Sequence, residues 1–136
     1  MSPGHAARSE RGQRVFKILH LDECPANPME RGRGEQIKLI NARLGTDKID
    51  VHLNRLAPGG PRGKLHHHTS ADNVYIVRRG EGRLVLEDQS YTLRENDVVY
   101  IPAGAKHSLS NCGAEPFEIF EIYAPAGKYF DFMLDE

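Results

Sequence analysis

From residue 45 onward, short runs of alternating apolar and polar side chains are interrupted by turn residues about every 8–12 positions, the spacing of a sandwich or barrel. The runs cover 49–57, 64–68, 73–79, 83–87, 91–93, 98–101, 106–111 and 117–123. Upstream, 15–21 is the first apolar run. Residues 22–35 (DECPANPMERGRGE) carry Pro, Gly and charge, and are predicted to be a loop. Segments 36–44 and 49–57 flank Gly45-Thr46-Asp47, a hairpin signal. No long stretch of helical period precedes the C-terminus, so the chain is predicted to be all-β. The tail 127–136 (GKYFDFMLDE) admits a short amphipathic helix with Tyr129, Phe130, Met133 and Leu134 as its stripe. Runs 73–79 and 98–101 are apolar on both faces, so both faces need cover. The interior covers one; the N-terminal segment or a second subunit is expected over the other.

Period-two alternation also sorts the histidines. In KLHHH, His66 and His68 share a face, while His67 points away with Leu65. An H-x-H pair on a strand fits a shared metal ion or an exposed edge equally well. The segment PAGAKH adds His107 just after a tight turn, with Leu109 and Asn111 on its face. A barrel that brings 64–68 beside 106–111 would supply a third imidazole.

Two spaced motifs make the pattern more specific. Gly60, His66, His68 and Gly80 fit G-x5-H-x-H-x(3,4)-E-x6-G, and Pro102, Gly104, His107 and Asn111 fit G-x5-P-x-G-x2-H-x3-N. Asn96 stands where the second motif opens with glycine. Over residues 60–111 the chain therefore resembles the cupin superfamily. The resemblance implies a double-stranded β-helix, or jelly-roll barrel, with a metal inside held by His66, His68 and His107. The organisation expected is a disordered tail over 1–14 followed by one cupin domain over 15–136. The glutamate of the first motif is replaced by Asn73, which shares a face with Tyr75 and Val77. Asn73 is expected at the fourth position, as an amide-oxygen ligand or as a hydrogen-bond partner for bound water or substrate.

Three neutral imidazoles leave the full charge on a divalent ion, which sharpens its Lewis acidity and its pull on a chelating anion. Zinc would be satisfied by three histidines and a water; iron(II), manganese, nickel or cobalt would keep further positions open. All-histidine sites occur among cupin dioxygenases, so the resemblance implies a dioxygenase-type oxidoreductase, with iron(II) favoured, acting on a small anionic chelator. A metal-dependent isomerase or lyase on a sugar acid, with Glu121 as base, is the alternative, as is a ligand-binding cupin without catalysis. Tyr75 reads as a pocket phenol or a barrel-lining core residue, and Glu121 as a carboxylate offered to the cavity or a solvated edge charge. His52 is expected on the surface. Arg55 faces opposite to His52, so only one of them can line the pocket.

Charge and composition narrow the partners. Net charge is −1 with 18 basic and 19 acidic residues, which argues against a nucleic-acid surface. No apolar run approaches a membrane span, and the polar start lacks the apolar core of a secretory signal. Two cysteines, Cys24 and Cys112, form no disulfide framework, so a cytoplasmic protein with reduced thiols is expected. A homodimer is the state implied by the resemblance.

Overall fold

The computed structural model describes residues 4–8 and 15–136, with side chains from Phe16 on. Of the tail expected over 1–14, Gly4–Arg8 forms a strand, β1, and the rest lies outside the described residues. The remaining strands are β2 (Val15–Leu19), β3 (Ala26–Pro28), β4 (Gly34–Ile40), β5 (Asp50–Leu56), β6 (His66–His67), β7 (Asp72–Arg79), β8 (Gly82–Leu86), β9 (Gln89–Leu93), β10 (Val98–Ile101), β11 (His107–Asn111), β12 (Phe117–Ala124) and β13 (Met133–Leu134). Beside the β1–β2 ribbon stand two antiparallel sheets. One has six strands in the order β10-β7-β12-β5-β4-β3, the other five in the order β13-β6-β11-β8-β9. Non-consecutive neighbours in both sheets are the signature of a jelly roll.

The sheets close on one apolar interior. Leu56, Tyr75, Val77, Ile101, Phe117 and Ile119 from the first meet Leu84, Leu93 and Leu109 from the second. Alternation does this work: on β7, Asn73, Tyr75 and Val77 are buried while Ile76 and Arg78 are exposed. Every fully buried aliphatic or aromatic side chain adds about 1.5–3 kcal/mol, so this cluster carries most of the fold's stability. The outer face of β10 stays open in the single chain, with Val98 68% and Tyr100 61% exposed.

Turn chemistry fixes the strand ends. Asn96 occupies the motif's glycine position with φ +72°, a left-handed conformation that asparagine tolerates better than other side chains. Its amide donates to the Val77 carbonyl, closing the β9–β10 turn onto β7. Two expectations change. The loop predicted over 22–35 contains β3, paired with β4, and short 3-10 turns at Leu21–Glu23 and Glu30–Gly32. The tail forms no α-helix: one 3-10 turn, Gly127–Tyr129, leads into the edge strand β13, where Met133 pairs with His67 and Leu134 with His66. Phe130 and Phe132 alternate onto the histidine rings, a period-two arrangement that a helix would break. Among the described residues no helix is long and apolar enough to cross a membrane.

Candidate metal centre

The antiparallel register of β6 and β11 sets His66 directly opposite His107. His68 follows on the same face of its segment, and the Gly104 amide donates to its carbonyl, tying it to the turn that carries His107. The ring centroids lie 4.3 Å (His66–His107), 5.0 Å (His66–His68) and 5.3 Å (His68–His107) apart. One ring nitrogen from each falls within 4.8 Å of the others. His67 points away, as alternation requires, and pairs with Asp135 at 2.8 Å.

Hydrogen bonds settle which nitrogens converge. Nδ1 of His66, His68 and His107 lies 2.7, 2.7 and 2.9 Å from the carbonyls of Lys64, Asp131 and Ala105. A carbonyl only accepts, so each Nδ1 carries the proton and each Nε2 presents a lone pair. Nε2 of His68 is buried with no partner. A buried lone pair with nothing to accept from is costly, and imidazoles oriented through Nδ1 with their Nε2 atoms turned together are the donor set a divalent metal takes. The residues present fit the metal the sequence implies. Burial, with smaller effects of the neighbouring imidazoles, lowers His66 to about 4 and moves His107 down as well. Both rings are therefore neutral at physiological pH, as metal ligation requires.

Asn73 is fully buried beside this cluster. Its Nδ2 donates to His107 Nε2 at 3.3 Å and to Glu121 Oε2 at 3.2 Å, leaving Oδ1 without a partner. Asp72, the carboxylate next to Asn73 in sequence, is on the opposite face of β7 and accepts from the Ala103 amide.

Behind Asn73 lies a polar row. Register places Tyr75, Glu121 and His52 side by side on β7, β12 and β5, all on the inner face. Glu121 is not the solvated edge charge that its strand position allowed; it is 5% exposed. Its Oε1 accepts from His52 Nε2 at 2.9 Å and from Asn54 Nδ2 at 2.6 Å. His52, expected at the surface, is buried too, because its face of β5 is the one turned inward. Its Nδ1 meets Asp50 Oδ1 at 2.9 Å, so both nitrogens donate to carboxylates and the ring is an imidazolium. Burial lowers the His52 pKa, but these two hydrogen bonds prevail and raise it to about 9. Burial likewise raises Glu121, yet the His52 bond and charge hold it at about 2. Tyr75, buried and with its ring 6.3 Å from that of His107, is pushed well above its usual range, first by burial and then by Glu121. Arg55 faces outward instead, paired with Glu118 and Glu35.

A chamber of about 140 Å³ opens in front of this row, lined by His66, Tyr75, Glu121, Tyr123 and Arg33 among others. Phe132 stacks on His66 at 4.0 Å and 16°, and Phe130 lies 4.7 Å from His68, so the C-terminal segment forms one wall. Sequence reasoning did not single out Arg33 or Phe132, and it placed Phe130 on a helix stripe rather than at the site. Arg33 sits in the stretch read as loop; its one available signal was a second arginine two residues away between glycines.

A family model described as "Cupin domain" matches residues 52–123. The chain is 34% identical over 84 residues, 62% of its length, to a mannose-1-phosphate guanylyltransferase of Klebsiella pneumoniae; the match spans 17% of that enzyme. It is 28% identical over 118 residues to an uncharacterized protein of Methanocaldococcus jannaschii, covering 86% of this chain and 94% of that one. In fold it is similar to a predicted oxalate decarboxylase from Thermotoga maritima, with a TM-score of 0.72, 21% identity, and coverage of 79% and 98% of the two chains.

Proposed function

This chain belongs to the cupin domain family, and from that premise we propose a metal-dependent enzyme whose three histidines hold one divalent transition metal, iron(II) by preference, and which oxidises a small chelating anion with dioxygen. The observation that carries this reading is the convergence of three imidazoles, each fixed through Nδ1, with no carboxylate among them. Such a metal would supply Lewis acidity and, as iron(II), redox chemistry with dioxygen.

The chain's own residues supply the rest. The Lys64, Asp131 and Ala105 carbonyls orient the rings. Asn73 Oδ1, unpartnered, accepts a hydrogen bond from bound water or substrate. Phe130 and Phe132 exclude bulk water from one side. Tyr75 stands as a donor to a substrate oxygen, its proton held tightly by burial. Glu121, with a pKa of about 2 and two donors on Oε1, is a weak base; its role here is to hold Asn73 and Tyr75 in place. A second copy of the chain over the open face of β10 would make the homodimer. The free thiols Cys24 and Cys112 suit a reducing compartment such as the cytoplasm.

A second reading is a metal-dependent isomerase or lyase; its sugar-derived anionic substrate is suggested by the similarity to mannose-1-phosphate guanylyltransferases. One experiment separates them. The iron(II)-loaded chain is assayed for oxygen uptake with β-diketones, catechols and thiols, and for solvent-deuterium incorporation into sugar acids and sugar phosphates. Oxygen uptake that disappears in His66→Ala supports the dioxygenase reading. Deuterium exchange without oxygen uptake replaces it with the second.

A further inference from the structure

Five arginines of the barrel surface, Arg55, Arg62, Arg78, Arg79 and Arg94, each face a glutamate within 4.0 Å. Four cations at the mouth of the chamber do not. Arg31, Arg33, Lys38 and Lys64 line an outer vestibule of about 580 Å³ with Glu30 as the sole acidic side chain on its wall, and none of the four makes an ion pair among the described residues. The vestibule and the inner chamber share Met29, Arg33, Gln36, Lys64 and Phe132 as a common wall, so the two adjoin.

Arg33 is the hinge between them. Its Nε is buried with no partner, and its Nη2 reaches only the Leu109 carbonyl, at 3.5 Å. Burial and the nearby Arg31 charge both lower its pKa. The guanidinium lies against Gly63, where an added side chain would come within 2.7 Å of Arg33 Nη2 and push it from its present place. Arg31 itself sits at φ +59°, an uncommon conformation for a residue with a side chain. Arg31 and Arg33 are like charges with no ion-paired carboxylate among the described residues, the Glu121 charge in the inner chamber opposing them only through space, and such a pair favours an anion entering between them.

We propose that this vestibule is a phosphate-binding subsite: Arg33, with Arg31, Lys38 and Lys64, holds the phosphate monoester of a small phosphorylated ligand whose oxygen-rich end enters the inner chamber. This deepens the reading of the metal centre, on which the second half of the statement rests. Four cations against one carboxylate match a dianionic phosphate better than a monoanionic carboxylate. A planar guanidinium beside ammonium groups is the donor set for its tetrahedral oxygens.

The test separates the subsite from the metal. The full-length His66→Ala/His107→Ala chain, which lacks the metal donors, is titrated by calorimetry with inorganic phosphate, mannose 1-phosphate, mannose and glucuronate. Both phosphates are expected to bind, mannose is not, and glucuronate is expected to bind about tenfold more weakly than mannose 1-phosphate. Binding of both phosphates should weaken as salt rises. In the same background Arg33→Met weakens phosphate binding about tenfold or more, and Lys64→Met about threefold. Arg79→Met removes an ion-paired charge elsewhere and leaves binding within about twofold. Absence of phosphate binding in the parent, equal binding of glucuronate, or equal losses in Arg33→Met and Arg79→Met would overturn the proposal. Metal stoichiometry of the wild-type chain, measured separately, reports on the metal centre alone.

Discussion

Two clusters of buried polar groups meet at Asn73, and they are finished to different degrees. Behind it, the Glu121 carboxylate is surrounded: His52 and Asn54 donate to Oε1, Asn73 to Oε2, and His52 is closed on its far side by Asp50. In front of it, His68 Nε2, Asn73 Oδ1 and, further out, Arg33 Nε are buried with nothing to bond. A satisfied network rigidifies a fold, while unsatisfied groups in a cavity are places where something else binds. The Asp50–His52–Glu121–Asn54 network is therefore scaffold, and the histidine face is the working surface.

The contrast is broken most directly by removing one side at a time. Glu121→Gln strips the counterion from a buried imidazolium and should cost about 3 kcal/mol in the metal-free protein by urea unfolding. His66→Ala/His107→Ala should move the same midpoint by less, about 1–2 kcal/mol, because the lost rings are neutral and their bonds run to the Lys64 and Ala105 carbonyls and to Asn73, while abolishing the rise in Tm on adding metal. Equal costs for the two variants would erase the distinction.

The pH dependence of metal-free stability should divide along the same line. His52, raised to about 9, contributes stability that is complete below its ordinary 6.5 and is lost as pH climbs through 9. His66, lowered to about 4, works oppositely: the unfolded chain takes up a proton that the fold refuses, so stability falls as pH drops below 6.5. Glu121, held at about 2, adds a further loss as pH falls from its ordinary 4.5 toward 2. The maximum should lie near pH 6.5. His52→Gln should flatten the alkaline limb and His66→Ala/His107→Ala, which removes both lowered rings, the upper acid limb, as thermal unfolding from pH 4 to 9 would reveal; a wild-type limb that survives its variant contradicts the assignment.

Asn73→Glu tests the seam. A carboxylate there would stand beside the Glu121 carboxylate, lowering metal-free stability by about 1–2 kcal/mol, and should tighten metal binding about tenfold by supplying a charged ligand. If neither quantity moves, Asn73 does not border the metal. The smallest effect is expected from Phe132→Ala. Stacking on His66 is worth about 0.5–1.5 kcal/mol, so metal should still bind, with a dissociation rate faster by a few-fold in stopped-flow chelation. An unchanged rate would remove Phe132 from the wall of the site.

Strand alternation and the two motifs made the working surface legible: the shared face of His66 and His68, the outward turn of His67, the inward face of Asn73 and Tyr75, and His107 at its turn. The scaffold was not legible to the same degree. Alternation says that His52 and Arg55 point opposite ways, but which of them faces in depends on pairing with β12, a contact 69 residues distant along the chain between His52 and Glu121. The burial of Glu121 follows from the same pairing. The tail misled because its aromatic spacing suits a helix face as well as a strand, and docking on the histidine rings decided between them. Arg33 was hidden by its setting, since a Pro- and Gly-rich stretch gives no alternation from which to read direction.

The central claim is that three imidazoles share one metal. X-ray absorption at the metal K-edge, on the wild-type chain loaded with one equivalent of iron(II) or zinc, reads those ligands directly. The account predicts three histidine nitrogens at about 2.0–2.2 Å with the outer-shell scattering of imidazole rings and no sulfur. A first shell without imidazole scattering, or one left unchanged in His66→Ala/His107→Ala, would contradict it.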